Sequence, residues 1–207
     1  MSDQPSSWHF FGGPGSIFYG FFDWLRSGLN RRLTRYLCDR CLGTSPKEKL
    51  ILEAGCGPAF ATSLLSERSD VYAVAMDLDI NALKEAQKRD PALPAVVGDL
   101  RQMPFKDSIF DLVWNSSTVE HLDAPEPAVS EMCRLAKSGG FVFIGVPSAT
   151  GPLFFQRYIA STRTGIWIGT VFSKPQLEEL TRRCGLTPFA VIHYFFQVFV
   201  AVLARKA

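Results

Sequence analysis

Short apolar runs alternate with helical stretches from residue 50 to residue 147, and this alternation constrains the fold more than any other feature of the sequence. Continuous apolar runs of this length are typical of strands that are covered on both faces. Strands that alternate with helices imply right-handed crossovers and a mainly parallel sheet. The predicted strands are 50–52, 71–76, 95–97, 110–114 and 141–146, and the predicted helices between them are 59–68, 80–89 and 125–136.

The chain closes on a capped helix and two further strands. Ser173 and Gln176 have the spacing of a capping box, which predicts a helix start at residue 174, and Gly185 ends that helix. Two apolar runs follow, and they are expected to pair as a hairpin over 186–194 and 196–204. The sequence therefore predicts an α/β fold with a mainly parallel seven-stranded sheet, a C-terminal antiparallel hairpin and helices on both faces.

Two segments outside this alternation are rich in aromatic residues. Residues 1–46 combine a loose N-terminus with an amphipathic helical pattern over 16–42, and residues 148–170 have no regular period. We expect residues 47–207 to form the core, the first segment to cap the substrate or cofactor, and the second to act as a lid insertion. Aromatic walls suit an apolar or aromatic small molecule, although the same side chains would also serve to pack these segments onto the sheet.

Composition limits the partners and the compartment. A net charge of +2 is too small to indicate nucleic acid, and the arginines of the first helix are typical of a solvated face. An anionic lipid is the alternative partner for that face, so peripheral membrane contact stays open, while no transmembrane segment or secretory signal is expected.

Five scattered cysteines favour a reducing, cytoplasmic compartment. The pair Cys38 and Cys41 has no second ligand pair, so no metal site is predicted. The oligomeric state is left open.

A glycine-rich loop follows the first predicted strand. Residues 53–57, with the sequence Glu-Ala-Gly-Cys-Gly, lie between that strand and a helix. Gly55 and Gly57 allow a tight turn and a close approach to a ligand, and the helix start offers unpaired N–H groups. Asp77 ends the next strand, 22 residues after Gly55, where a carboxylate can accept both hydroxyls of a ribose. These features predict an adenosine-containing ligand and, by themselves, fit a dinucleotide as well.

Asp99 and Leu100 follow the third predicted strand. A carboxylate there can accept a hydrogen bond from an adenine amino group, and Leu100 can add an apolar surface and a backbone N–H. A surface aspartate in a turn is the alternative for Asp99.

The order and spacing of these motifs resemble the class I S-adenosylmethionine-dependent methyltransferases, in the small-molecule branch typified by ubiquinone- and menaquinone-biosynthesis enzymes. The resemblance covers about half the chain and has two departures from the family pattern. Ala59 stands where a third glycine is frequent, which is tolerable because alanine is small, and Ser138 stands where a proline is usual. The matching segments are 50–57, 76–79, 98–100, 107–113, 119–122, 131–135 and 138–140.

The resemblance implies a Rossmann-like sheet, S-adenosylmethionine as the cofactor, and a role for each matching residue. Glu53, Gly55 and Gly57 would face the methionine moiety, and Asp77 would bind the ribose. The remaining cofactor-binding residues would be Asp99 and Leu100 at the adenine, Asn115 and Ser116 at the sulfonium end, Tyr19 at the cofactor carboxylate, and Ala54, Cys56 and Leu78 beside their motif neighbours.

Glu120 and His121 are the catalytic candidates. A histidine titrates near neutrality, so His121 can act as a base toward an acceptor hydroxyl or ammonium group. In some relatives a Glu-His pair at this position has that role, and in many others the histidine only orders the loop beside the cofactor. Both interpretations are carried forward.

The sequence thus predicts methyl transfer by in-line displacement to a small, apolar or aromatic molecule, lipid-like molecules included. The attacking atom is left open among O, N and C. One alternative is a non-catalytic module that binds the cofactor or a partner. An NAD-dependent oxidoreductase is a weaker alternative, because the charge of Glu53 would repel a pyrophosphate at the glycine loop.

Overall fold

The computed structural model describes residues 17–43, 47–151 and 169–207, with the backbone alone for residues 17–26. Its centre is a seven-stranded sheet with the order β3-β2-β1-β4-β5-β7-β6. The first five strands are parallel, and β7 is antiparallel to both β5 and β6. The predicted fold class, including the C-terminal hairpin, is confirmed. The strands are β1 Lys49–Ala54, β2 Val71–Asp77, β3 Ala95–Val97, β4 Phe110–Ser116, β5 Ala136–Pro147, β6 Leu186–Tyr194 and β7 Phe199–Lys206.

The helices lie close to their predicted positions. Asp79 Oδ1 accepts the Asn81 amide at 2.9 Å and caps α3, and the Ser173 amide donates to Gln176 Oε1 at 2.8 Å at the start of α5. The fifth strand begins earlier than predicted, at Ala136, but its pairing with β4 shifts register before Phe141, and Gly139 has a φ of 73° there. The helices are α1 Ile17–Cys41, α2 Phe60–Ser66, α3 Ile80–Arg89, α4 Glu126–Leu135 and α5 Lys174–Arg183, with a 3₁₀ turn at Val119–His121.

Alternate side chains of the central strands point to two separate cores. On one face Leu52 and Val113 pack with α4 and α5, and on the other Ile51, Trp114 and Phe143 pack with α1 and α2. A strand buried on both faces has no polar alternation, which is why these strands appear in the sequence as continuous apolar runs. The two layers of helices leave the carboxyl ends of β1, β2 and β4 at one edge of the sheet, and the candidate site lies there.

The part of α1 whose side chains are described belongs to the core. Leu33, Leu37, Cys38 and Cys41 are buried against the sheet, and burial raises the pKa of both thiols. The capping role expected of the N-terminal loop and the lid role expected of residues 152–168 lie outside the described residues. Within the described ranges, no helix is both long enough and apolar enough to cross a membrane.

Candidate functional site

The glycine loop after β1 is held by backbone contacts on two sides. The amides of Gly55 and Cys56 donate to Met76 O at 2.8 and 3.0 Å, which ties the loop to the end of β2. Gly55 has a φ of 76°, and a Cβ there would lie 2.6 Å from Thr118 Oγ1. Thr118 Oγ1 in turn donates to Gly55 O at 3.0 Å. Only glycine satisfies both the left-handed backbone and this close contact.

Ala59 shows why a third glycine is frequent at this position. Its backbone is left-handed, with a φ of 52°, and its side chain is buried directly before α2. A left-handed alanine costs roughly 1–2 kcal/mol relative to glycine. The sequence analysis considered only the size of the alanine, whereas the structure places the cost in its backbone conformation.

Asp77 is fixed by the loop that it faces. Its Oδ2 accepts the Gly57 amide at 2.6 Å, and its Oδ1 accepts the Asp79 amide at 2.9 Å. Each carboxylate oxygen has more than one acceptor position, so both can still receive a ribose hydroxyl. Asp79 caps the helix, as predicted, and this leaves Asp77 available for a ligand.

Glu53 is a buried acid directly behind the loop. The residue is only 7% exposed, and the Thr62 hydroxyl donates to its Oε2. Burial raises the pKa of Glu53 to about 8, and the nearby charge of Asp77 acts in the same direction. The Cys56 thiol beside it is also buried, and its pKa is raised for the same reason. Without a bound cation Glu53 is mostly protonated at neutral pH, so its repulsion of a pyrophosphate is weaker than the sequence suggested.

The third predicted position divides into an exposed acid and a buried leucine. The Arg101 guanidinium hydrogen-bonds both oxygens of Asp99, at 3.0 and 2.6 Å, and holds the pKa of Asp99 down to about 2. Leu100 is buried in the core, so its side chain does not offer the apolar surface that was expected of it. The exposed apolar side chains at the ends of β2 and β3 are Leu78 and Val97, which are 65% and 50% exposed.

Asn115 and Ser116 are the last two residues of β4, beside the glycine loop. The side chain of Asn115 is buried, whereas that of Ser116 is half-buried. Asn115 is fully buried; its Nδ2 donates to Ala54 O, and its Oδ1 accepts the Val119 amide at 3.3 Å. It therefore joins β1 to the 3₁₀ turn. Ser116 is half-buried, and its hydroxyl lies 2.8 Å from the Tyr194 hydroxyl. Of this pair, Ser116 is the one placed to meet a ligand.

Glu120 and His121 lie in the 3₁₀ turn next to Ser116. Glu120 Oε1 accepts the Ser117 hydroxyl at 2.6 Å, and Oε2 is buried without a hydrogen-bond partner among the described residues. Burial raises the pKa of Glu120 to about 7. His121 Nε2 lies 4.0 Å from Glu120 Oε1, and partial burial lowers the pKa of its imidazole. The more exposed His121 is thus a neutral base at pH 7, and Glu120 orders the turn beneath it.

Three residues of this site were missed by the sequence analysis: Thr62, Thr118 and Tyr194. Each contacts a predicted residue across a gap of at least nine positions in the chain, and no local pattern reports such a contact. Tyr19, the remaining predicted residue, lies in α1, and its side chain is outside the part that the structure describes.

The sheet order, the antiparallel last pair and the glycine loop at the end of β1 define a Rossmann-like fold of the class I methyltransferase type. Comparison with protein families agrees, because residues 52–144 match the family described as a methyltransferase domain. This match supports the predicted resemblance over the central part of the chain.

Individual relatives extend the comparison. A demethylmenaquinone methyltransferase of Streptomyces avermitilis is 34% identical over 113 residues, which cover 55% of this chain and 48% of that protein. A malonyl-[acyl-carrier protein] O-methyltransferase of Herminiimonas arsenicoxydans is 36% identical over 91 residues, 44% of this chain and 34% of that protein. The chain therefore spans half or less of the length of these relatives.

Among solved structures, geranyl diphosphate C-methyltransferase from Streptomyces coelicolor superposes with a TM-score of 0.69. The alignment covers 95% of this chain and 88% of that one at 16% identity. At this identity the likeness supports the fold, while the activity has to be argued from the site.

Proposed function

We propose that this protein binds S-adenosylmethionine at the glycine loop and transfers its methyl group to a small, apolar or aromatic acceptor. The observation that carries the proposal is the placement of Glu53, Asp77 and Asp99 at the carboxyl ends of three adjacent parallel strands, at one edge of the sheet. This row offers a carboxyl for the methionine ammonium, a carboxylate for the ribose and a carboxylate near the adenine. The exposed side chains of Leu78 and Val97 offer an apolar surface for the adenine ring.

The backbone of the loop also fits this ligand. Left-handed glycines at 55 and 57 bring main chain to the surface without a Cβ, and a buried acid lies directly behind them. S-adenosylmethionine supplies an electrophilic methyl group on a sulfonium. The ammonium group of the methionine moiety is matched by a carboxyl group, whereas a pyrophosphate requires N–H donors and positive charge. The carboxyl groups around the loop therefore favour S-adenosylmethionine over NAD.

His121 is the proposed base for the acceptor. Its imidazole is neutral at pH 7 and can accept the proton that the attacking atom of the acceptor releases. Bound S-adenosylmethionine would supply the methyl group, and its sulfur would keep the electron pair of the methyl–sulfur bond. Glu120 holds the turn that carries His121, and its own raised pKa allows it to take up a proton near neutral pH. Positioning and exclusion of water supply the rest of the rate.

The finer parts of the proposal concern location and partners. Five free cysteines, three of them buried, favour a reducing compartment such as the cytoplasm. The names of the two sequence relatives suggest quinol-like and malonyl-thioester acceptors, and both types are included in the test below. A nucleic-acid partner is not part of the proposal.

Two measurements test it. Calorimetry should detect binding of S-adenosylhomocysteine and no binding of NAD; the reverse result would refute the cofactor assignment. Transfer of tritium from labelled S-adenosylmethionine to reduced demethylmenaquinone, to malonyl-acyl carrier protein and to fractions of a cell extract should then give a labelled product. Cofactor binding without product in any of these would indicate a non-catalytic binding module.

A further inference from the structure

The turn between β6 and β7 is strained. Phe195, Phe196 and Gln197 have φ values of 49°, 57° and 64°, three consecutive left-handed residues without a glycine. Each costs roughly 1–2 kcal/mol, so such a turn persists only when its surroundings hold it. The Val198 amide donates to Phe195 O at 3.1 Å, and Val198 O accepts the Ser148 amide at 2.9 Å. These two hydrogen bonds hold the turn in its strained conformation. The turn therefore fixes the position of the side chain that precedes it.

Tyr194 is the side chain that this turn places. It is the last residue of β6, and its ring packs against Phe195, Phe199 and Phe143, with ring centroids 4.8, 5.3 and 6.0 Å away. The hydroxyl passes close over Gly145, where a Cβ would collide with it. It ends 2.8 Å from Ser116 Oγ, at the carboxyl end of β4.

We propose that Tyr194 is a positioning residue that acts through Ser116: its phenol donates to Ser116 Oγ, so that the Ser116 hydroxyl hydrogen points to an oxygen atom of the methyl acceptor. This inference rests on the proposed methyl transfer and adds the chemical class of the acceptor. The acceptor is a molecule with a carbonyl, carboxylate or phenolate oxygen next to the carbon or oxygen that receives the methyl group.

The direction of this hydrogen bond follows from the chemistry of the two hydroxyls. A phenol is a stronger donor than an aliphatic alcohol, so Tyr194 donates and Ser116 accepts. Burial raises the pKa of Tyr194, and the nearby Glu120 adds to this, so the phenol keeps its proton throughout the neutral range. The Ser116 hydroxyl then has its own hydrogen left to donate. Ser116 is half-buried, and it is the last residue of β4, at the edge where the glycine loop lies.

Two matched probes separate recognition of an oxygen atom from simple packing. 1-Tetralone is an aromatic ketone, and tetralin has the same rings without the oxygen. Their binding to the full chain saturated with S-adenosylhomocysteine is followed by NMR titration. The wild-type protein should prefer 1-tetralone by about fivefold to tenfold, the value of one hydrogen bond to a carbonyl. The variants Y194F and S116A should both reduce this preference to about twofold or less, with tetralin binding unchanged.

A double variant tests whether Tyr194 acts through Ser116. S116A/Y194F should be no worse than S116A alone, since both changes interrupt one chain of hydrogen bonds. The control is Y72F, which removes the hydroxyl of an exposed tyrosine on β2 and should leave the preference intact. Thermal unfolding and S-adenosylhomocysteine affinity should be close to wild type for Y194F and Y72F.

Three results would overturn the inference. These are a wild-type protein without preference for the ketone, a Y194F variant that weakens both probes equally, and additive losses in the double variant. Failure to bind S-adenosylhomocysteine is a different result, because it would refute the proposed function and not the role of Tyr194.

Discussion

Replacing Glu53 by glutamine should remove a strong pH dependence from cofactor binding. In the free protein burial raises the pKa of Glu53 to about 8. A ligand ammonium group at this carboxyl favours its charged form, so binding has to remove the proton. The fraction of Glu53 that is already ionised is about 1% at pH 6 and about one half at pH 8, as follows from that pKa. The affinity for S-adenosylhomocysteine should therefore rise by about fiftyfold between pH 6 and pH 8.

The assay is isothermal titration calorimetry at pH 6, 7 and 8. Each titration is repeated in two buffers of different ionisation enthalpy, so that the heat reports the number of protons released. At pH 7 the wild-type protein should release close to one proton for each ligand bound. Adenosine, which lacks the ammonium group, should bind with little pH dependence and release almost none.

E53Q is the matched variant, because the amide keeps the size of the side chain and can still accept from Thr62. It should bind S-adenosylhomocysteine more weakly at pH 8, with an affinity that changes little from pH 6 to pH 8. The same pH slope in wild type and E53Q would refute the reasoning, since the slope would then belong to the ligand or to another residue. An absence of proton uptake or release in the wild type would refute it as well.

The remaining predictions concern the ribose contact, the base, the pH dependence of stability and the core. Asp77→Asn should weaken S-adenosylhomocysteine binding by about tenfold or more, measured by calorimetry, and an unchanged affinity would count against the ribose contact. His121→Ala should reduce the methyl-transfer rate much more than cofactor affinity if His121 is the base, whereas equal losses would indicate a loop-ordering role. Folding raises the pKa of Glu53 to about 8 and of Glu120 to about 7. The protonated carboxyls therefore contribute their whole stabilisation below about pH 4.5, and this contribution is lost as the pH rises toward 8. The melting temperature of the free protein should accordingly fall from pH 5 to pH 8.5, and a flat profile that E53Q does not alter would contradict this burial. Phe143→Ala, at a fully buried position, should lower the free energy of unfolding by about 3–5 kcal/mol in a urea titration, and a loss below about 1 kcal/mol would show that the site is loosely packed.

Local signals in the sequence were enough to predict the elements of the fold. Strands with apolar residues on both faces, the Asp79 cap and the Ser173–Gln176 pair act within a few residues, so the sequence reports them directly. The same holds for the glycine loop, whose turn depends on residues that can adopt a positive φ. The early start of β5 at Ala136 was missed, because it depends on pairing with Phe110 of a different strand.

By itself, then, the sequence determined the class of fold, the position of the glycine loop and the acids at the ends of three neighbouring strands. The tertiary structure decided which side chains near that loop are buried and which are paired with each other. The side chains of Leu100 and Asn115 are packed into the interior, while Ser116 is paired with Tyr194 across 78 residues of chain. The protonation of Glu53 was decided in the same way, since desolvation depends on the helices that cover the strand. Periodicity reports how a residue relates to its neighbours in the chain, whereas burial, register and pKa depend on residues that only folding brings together.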